Sequence, residues 1–210
     1  MKSDFTHIYL PGDASLPVLL LLHGTGGDER DLVELGQAVS PGSTILSVRG
    51  KVLENGMPRF FRRLAEGVFD LEDLAFRTHE LAEFIGEARQ EYGLKQPIYA
   101  LGFSNGANIA ASVMLTYPDA LDGAILLRAM VPFGPQSLPD LSGKNVLILS
   151  GLMDPIVPAD NARRLGWLFR EAGAATEHRL RPASHGLVSS DVPDMQEFMR
   201  VYLDKKEKAS

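Results

Sequence analysis

The chain has 210 residues, 45% apolar and 23% charged, enough to bury one sizeable core, and residues 1–210 are expected to form a single domain. Its net charge of −6, with no basic stripe, argues against a nucleic-acid partner, and no apolar run is long enough to insert in a membrane. The absence of cysteine excludes disulfides, thiolate metal sites and a cysteine nucleophile.

The first seven residues, Met1 to His7, lack the apolar stretch of a secretion signal, so a cytoplasmic location is expected. Strands are then expected at 7–10, 17–23, 44–48, 98–103, 123–128, 145–151 and 176–181. The middle ones are continuous apolar runs, as in strands covered on both faces. Leu74, Leu81, Ile85, Ala88 and Tyr92 share one stripe at helical spacing, with Asp70 and Asp73 placed to cap its start. Further helices are expected over 105–117, stopped by Pro118, and over 159–172, stopped by Gly173. Met195, Phe198, Met199 and Tyr202 mark a last helix, introduced by Asp191 and Pro193; the charged segment from 203 to 210 reads as a frayed end. Strands alternating with helices predict a three-layer α/β fold, a mostly parallel sheet with helices on both faces. In such sheets the chemistry sits outside the carboxyl ends of the strands.

One such end carries Gly102-Phe103-Ser104-Asn105-Gly106, placed between the run 97–101 and a helix. G-x-S-x-G at a strand-to-helix turn lifts a serine hydroxyl clear of the sheet, which makes Ser104 the candidate nucleophile. A serine hydroxyl needs a base, and the base needs an orienting carboxylate. Asp154 follows the strand 145–151, and His185 follows the strand 176–181, so the chain order is Ser, Asp, His, the order of α/β-hydrolases. Asp154 before Pro155 also reads as a turn former, and His185 as a loop histidine. His23 precedes the serine and is read as structural; Asp191 and Asp194 are read as helix caps.

Acyl transfer develops an oxyanion that preorganised backbone N–H groups stabilise. Asn105, directly after the nucleophile, is one candidate donor. Thr25, in the loop His23-Gly24-Thr25-Gly26-Gly27, is the other. A phosphate-binding reading of that loop fails, because Glu29 stands where G-x-G-x-x-G needs its last glycine.

These segments resemble the small phospholipase/carboxylesterase family of α/β-hydrolases. The resemblance lies in Leu22-His23-Gly24-Thr25-Gly26-Gly27-Asp28-Glu29, Gly102 to Ala107, Gly151 to Pro158 and Ser184-His185-Gly186-Leu187. The segment from Arg49 to Phe61 is similar to the bacterial branch that includes hydrolases linked to hydroquinone resistance. The resemblance implies a serine esterase without a cofactor or a metal, using Ser104, Asp154 and His185, with Thr25 and Asn105 at the oxyanion and no separate cap domain. Thioesterases of the family carry glutamine where this chain has Asn105, so a simple ester of a small or short-chain substrate is the favoured ligand. Acyl-thioester or lysophospholipid hydrolysis, or a ligand-sensing role, are the alternatives. Met57, Phe60, Phe61, Met130 and Ile156 fall in irregular stretches at the catalytic end and are candidate pocket residues, though they could equally seal the core. The Arg59, Arg62 and Arg63 cluster reads as a solvated helix face, with Arg59 in a surface ion pair or, as the alternative, against an acidic leaving group. Apolar loops there leave room for a homodimer contact.

Overall fold

A computed structural model describes the backbone of residues 4–209 and the side chains of residues 4–201. Its elements run β1 (His7–Leu10), β2 (Val18–Leu22), α1 (Val33–Val39), β3 (Thr44–Val48), β4 (Val52–Glu54), β5 (Met57–Arg59), β6 (Arg63–Ala65) and β7 (Val68–Phe69). They continue as α2 (Leu71–Glu91), β8 (Ile98–Phe103), α3 (Asn105–Thr116), β9 (Gly123–Leu127), β10 (Asn145–Gly151), α4 (Ala159–Glu171), β11 (Ala175–Arg181) and α5 (Asp191–Ala209).

Seven strands form the central sheet in the order β1-β3-β2-β8-β9-β10-β11. β1 runs antiparallel to β3, and every other pairing is parallel. The period-two geometry of a strand sends alternate residues to opposite faces, and here both faces are apolar. Leu20, Leu22, Leu46, Val48, Ala100, Leu126 and Ile148 join one core layer with residues of α2, α3 and α4. Leu19, Leu21, Ile45, Leu101, Ile125, Leu127 and Leu149 join the other with Met195, Phe198 and Met199 of α5. The two layers explain why β2 and β9 are continuous apolar runs and why β2, β3 and β9 are buried throughout. The edge strand β11 is only half-buried and carries Glu177, Arg179 and Arg181, the first two paired with each other and both arginines paired with Asp194.

Asp70 caps α2, its carboxylate accepting from the Asp73 N–H at 3.1 Å. Three features depart from the sequence reading. Residues 33–39 form α1, a short helix. The segment between β3 and α2 folds into two antiparallel hairpins, β4–β5 and β6–β7. The first turns at Asn55 and Gly56, both with positive φ, as a two-residue hairpin turn requires. Finally, α5 extends to Ala209 and takes in most of the charged end segment.

Candidate active site

Ser104 has φ 51° and ψ −112°, outside the regions favoured by residues with a Cβ. Two contacts enforce this. Its N–H donates to Leu127 O at 2.8 Å, and its carbonyl receives the Asn108 N–H at 2.9 Å as α3 begins. The turn is tight enough that a Cβ on Gly102 would lie 2.7 Å from Ala107 backbone atoms, and one on Gly106 would overlap the Leu22 carbonyl. Both glycines of the motif are therefore required by β2 and α3 as much as by the turn.

The carboxyl ends of β8, β10 and β11 bring three distant side chains together. His185 Nε2 stands 2.9 Å from Ser104 Oγ, and its Nδ1 stands 2.8 Å from Asp154 Oδ2. Asp154 Oδ1 accepts the N–H groups of Ile156 at 2.8 Å and Val157 at 3.0 Å, so the turn leading to α4 holds the carboxylate in place. With Nδ1 facing a carboxylate, the imidazole carries its proton there and presents Nε2 as acceptor to the hydroxyl. The arrangement can take a proton from Ser104 and stabilise the imidazolium that results.

The loop after β2 contributes backbone donors. Gly26 N–H is taken by Pro58 O at 2.9 Å and Gly27 N–H by Gly24 O at 3.1 Å, which leaves Thr25 with a free N–H among the described residues. Asn105 opens α3, so its N–H has no intrahelical partner and sits at the positive end of the helix dipole. Thr25, Ser104, Asn105 and His185 all line one cavity of about 200 Å³. The Asn105 side chain is tied elsewhere: its Oδ1 accepts the Phe60 N–H at 2.7 Å, joining the serine turn to the hairpin segment.

His23 is buried, with Nδ1 2.6 Å from Gly24 O and Nε2 accepting the Gly50 N–H at 3.0 Å. Burial is the main cause that lowers its pKa, opposed by the Gly24 carbonyl and nearby acidic groups. It is a neutral pin between two loops and touches no triad member. Glu29 anchors the same loop through Arg49, at 2.5 and 2.8 Å, and this pairing holds its carboxyl below the usual range.

Of the expected pocket residues, Met130 and Ile156 line the cavity. Phe60 and Phe61 do not. Both are fully buried in the core, because the segment after β5 turns inward under the hairpins, and Phe60 packs on His23 at 4.8 Å between ring centres. Met57 is partly exposed on β5 and packs near Gly26. The aromatic lining comes from Phe69 and Phe103. Arg59 and Arg63 also line the cavity, on β5 and β6; the solvated-helix reading is wrong because these residues belong to hairpins.

Arg128 was missed altogether. It lies directly after β9 with φ 55° and its side chain is fully buried. Its guanidinium donates to Ser184 O at 3.2 Å and Gly186 O at 2.9 Å, the carbonyls on either side of His185. Asp191 balances the charge at 2.7 Å and also accepts the Val188 N–H at 2.8 Å, so it does more than cap α5. An arginine directly after a continuous apolar strand is the signal that marks it in the sequence. Asn108, also unforeseen, receives the Met130 N–H on its Oδ1 at 2.8 Å and fixes the cavity wall. Among the described residues no group of three or more metal-binding side chains occurs, and no helix is long and apolar enough to cross a membrane.

A family model described as phospholipase/carboxylesterase matches residues 4–203. MhqD of Bacillus subtilis (strain 168), named as a hydrolase, is 45% identical over 195 residues, covering 92% of this chain and 97% of the relative. The crystal structure of a Bacillus cereus carboxylesterase superposes with a TM-score of 0.93 at 48% identity, covering 95% of each chain. A carboxylesterase from Mesorhizobium loti superposes with a TM-score of 0.85 at 29% identity, covering 93% of this chain and 94% of that one.

Proposed function

The chain belongs to the phospholipase/carboxylesterase family of α/β-hydrolases, and from that premise we propose that it cleaves esters of small or short-chain acids through an acyl-enzyme on Ser104. The observation that carries this reading is the unbroken Ser104–His185–Asp154 hydrogen-bond chain, 2.9 and 2.8 Å, whose Ser104 and His185 line a cavity together with Thr25 and Asn105.

His185 takes the Ser104 proton as Oγ attacks the ester carbonyl carbon. Asp154 keeps the imidazole in the required tautomer and stabilises its positive charge. The carbonyl oxygen, now negative, rests on the N–H groups of Thr25 and Asn105, which are fixed before the reaction and reorganise little. His185 then hands its proton to the departing alkoxide. Water follows the same route to release the acid and restore Ser104.

The small cavity supports short acyl groups over the long chains of lysophospholipids. Hydrolysis of 4-nitrophenyl acetate, butyrate and octanoate by the wild type and by Ser104→Ala tests the reading. The variant should lose roughly 10³-fold or more in kcat, with acetate or butyrate preferred by the wild type. Full activity in the variant, or a folded wild type with no turnover, would refute the nucleophile.

A further inference from the structure

We propose that the cavity recognises a carboxylate on the acyl half of its substrate, so that the preferred esters are monoesters of short dicarboxylic acids. This rests on the ester-hydrolase reading above.

The cavity lining holds Arg59, Arg63 and Arg128 and no carboxylate among the described residues, in a chain whose net charge is −6. Arg128 is neutralised by Asp191. Among the described residues Arg59 and Arg63 share a single acidic partner: Glu54 Oε2 lies 2.9 Å from Arg59 Nη1, and Glu54 Oε1 lies 2.9 Å from Arg63 Nε. Two guanidinium groups against one carboxylate leave an excess positive charge on the wall. The Arg59 side chain is only 4% exposed, so water screens that excess poorly. Burial displaces its pKa downward; Glu54 opposes this and Arg63 adds to it. A bound anion would relieve the imbalance.

Arg63 has the means to hold one. Only its Nε is engaged, and its two terminal nitrogens have no hydrogen-bond partner among the described residues. Such a fork matches the two oxygens of a carboxylate. Arg62, the third member of the cluster, is instead paired with Asp70 and Asp73.

Position assigns the carboxylate to the acyl half. Arg59 Nη1 donates to Thr25 Oγ1 at 3.0 Å, on the oxyanion side, whereas the His185 ring nitrogens meet only Ser104 and Asp154 among the described residues. The leaving group must sit beside His185 Nε2 to receive its proton, so the group reaching Arg63 is the other end of the ester.

The test compares kcat/KM for mono(4-nitrophenyl) adipate and 4-nitrophenyl hexanoate, equal in acyl length, after subtracting spontaneous hydrolysis. Wild type, Arg63→Gln, Arg63→Glu and Arg63→Lys are assayed, with thermal melts as the folding control. The wild type should favour the adipate ester by roughly tenfold to a hundredfold, the span of one charge-assisted hydrogen bond. Arg63→Gln should remove most of that preference through KM, Arg63→Glu should reverse it, and Arg63→Lys should retain part of it. Raising the salt concentration should compress the wild-type preference. Equal turnover of both esters by the wild type would overturn the proposal and leave the ester-hydrolase reading intact. So would Arg63 variants that change both rates alike. A folded wild type that hydrolyses neither ester would instead overturn the reading on which the proposal rests.

Discussion

The sheet, with the turns that carry Ser104, Asp154 and His185, and the hairpin segment β4–β7 are built on opposite terms. In the sheet, β2, β3 and β9 are buried at every position, and the serine turn has no room for one extra carbon at Gly102 or Gly106. In the hairpins, strands of two or three residues leave Leu53 69%, Leu64 73% and Val68 51% exposed. The first region holds Ser104, His185 and Asp154 in hydrogen-bond contact at 2.9 and 2.8 Å, the geometry that the proposed proton transfer needs. The second can change its side chains at little cost in stability. The cavity is made where they meet, so the proposed chemistry and the proposed selectivity fall to regions under different physical constraints.

The largest effect is expected where the sheet holds His185. Arg128→Met leaves Asp191 buried and unpaired, which should cost about 3–5 kcal/mol in denaturant unfolding. Adding Asp191→Leu should recover most of that stability, since an apolar pair replaces a buried ion pair. It should not recover kcat/KM, because the Ser184 and Gly186 carbonyls still lack their donor. Recovery of both would show that Arg128 serves the fold alone.

An intermediate effect is expected at the seam between the regions. His23 is held below its ordinary pKa of 6.5 mainly by burial. The unfolded chain therefore binds a proton more readily than the folded one, and stability present above that value is lost as the pH falls through it. His178 adds in the same direction, lowered by burial and by Arg170 and Arg163. Melting temperature should decline as the pH is lowered from 7.5 to 5.5, and His23→Asn should flatten that decline. A pH-independent melt in the wild type would contradict the buried neutral pin.

The smallest effect belongs to the hairpins. Leu64→Ser should shift stability by no more than about 0.5 kcal/mol in chemical denaturation. A loss several times larger would mean that the hairpins are as constrained as the sheet, and the contrast would fail.

The same contrast decides what could be read from the sequence. The inner strands of the central sheet and the Ser104, Asp154, His185 order are written in local patterns: apolar runs, a glycine-flanked serine, and turn residues after strands. The hairpins are too short to show a period, though Asn55-Gly56 is a strong turn signal that marks the first of them. Without them, Arg59 and Arg63 look like surface charge and Phe60 and Phe61 like pocket walls. The Arg128 clamp spans 56 and 58 residues to Ser184 and Gly186, a contact that only the assembled sheet produces.

The backbone at Ser104 has one more consequence. A serine at φ 51° is less stable than a glycine would be at the same point, by an amount on the order of 1 kcal/mol. A copy of this chain with glycine at this position would gain that stability and lose the hydroxyl. On the proposed mechanism, the turn gives up that stability to hold a hydroxyl at the end of β8.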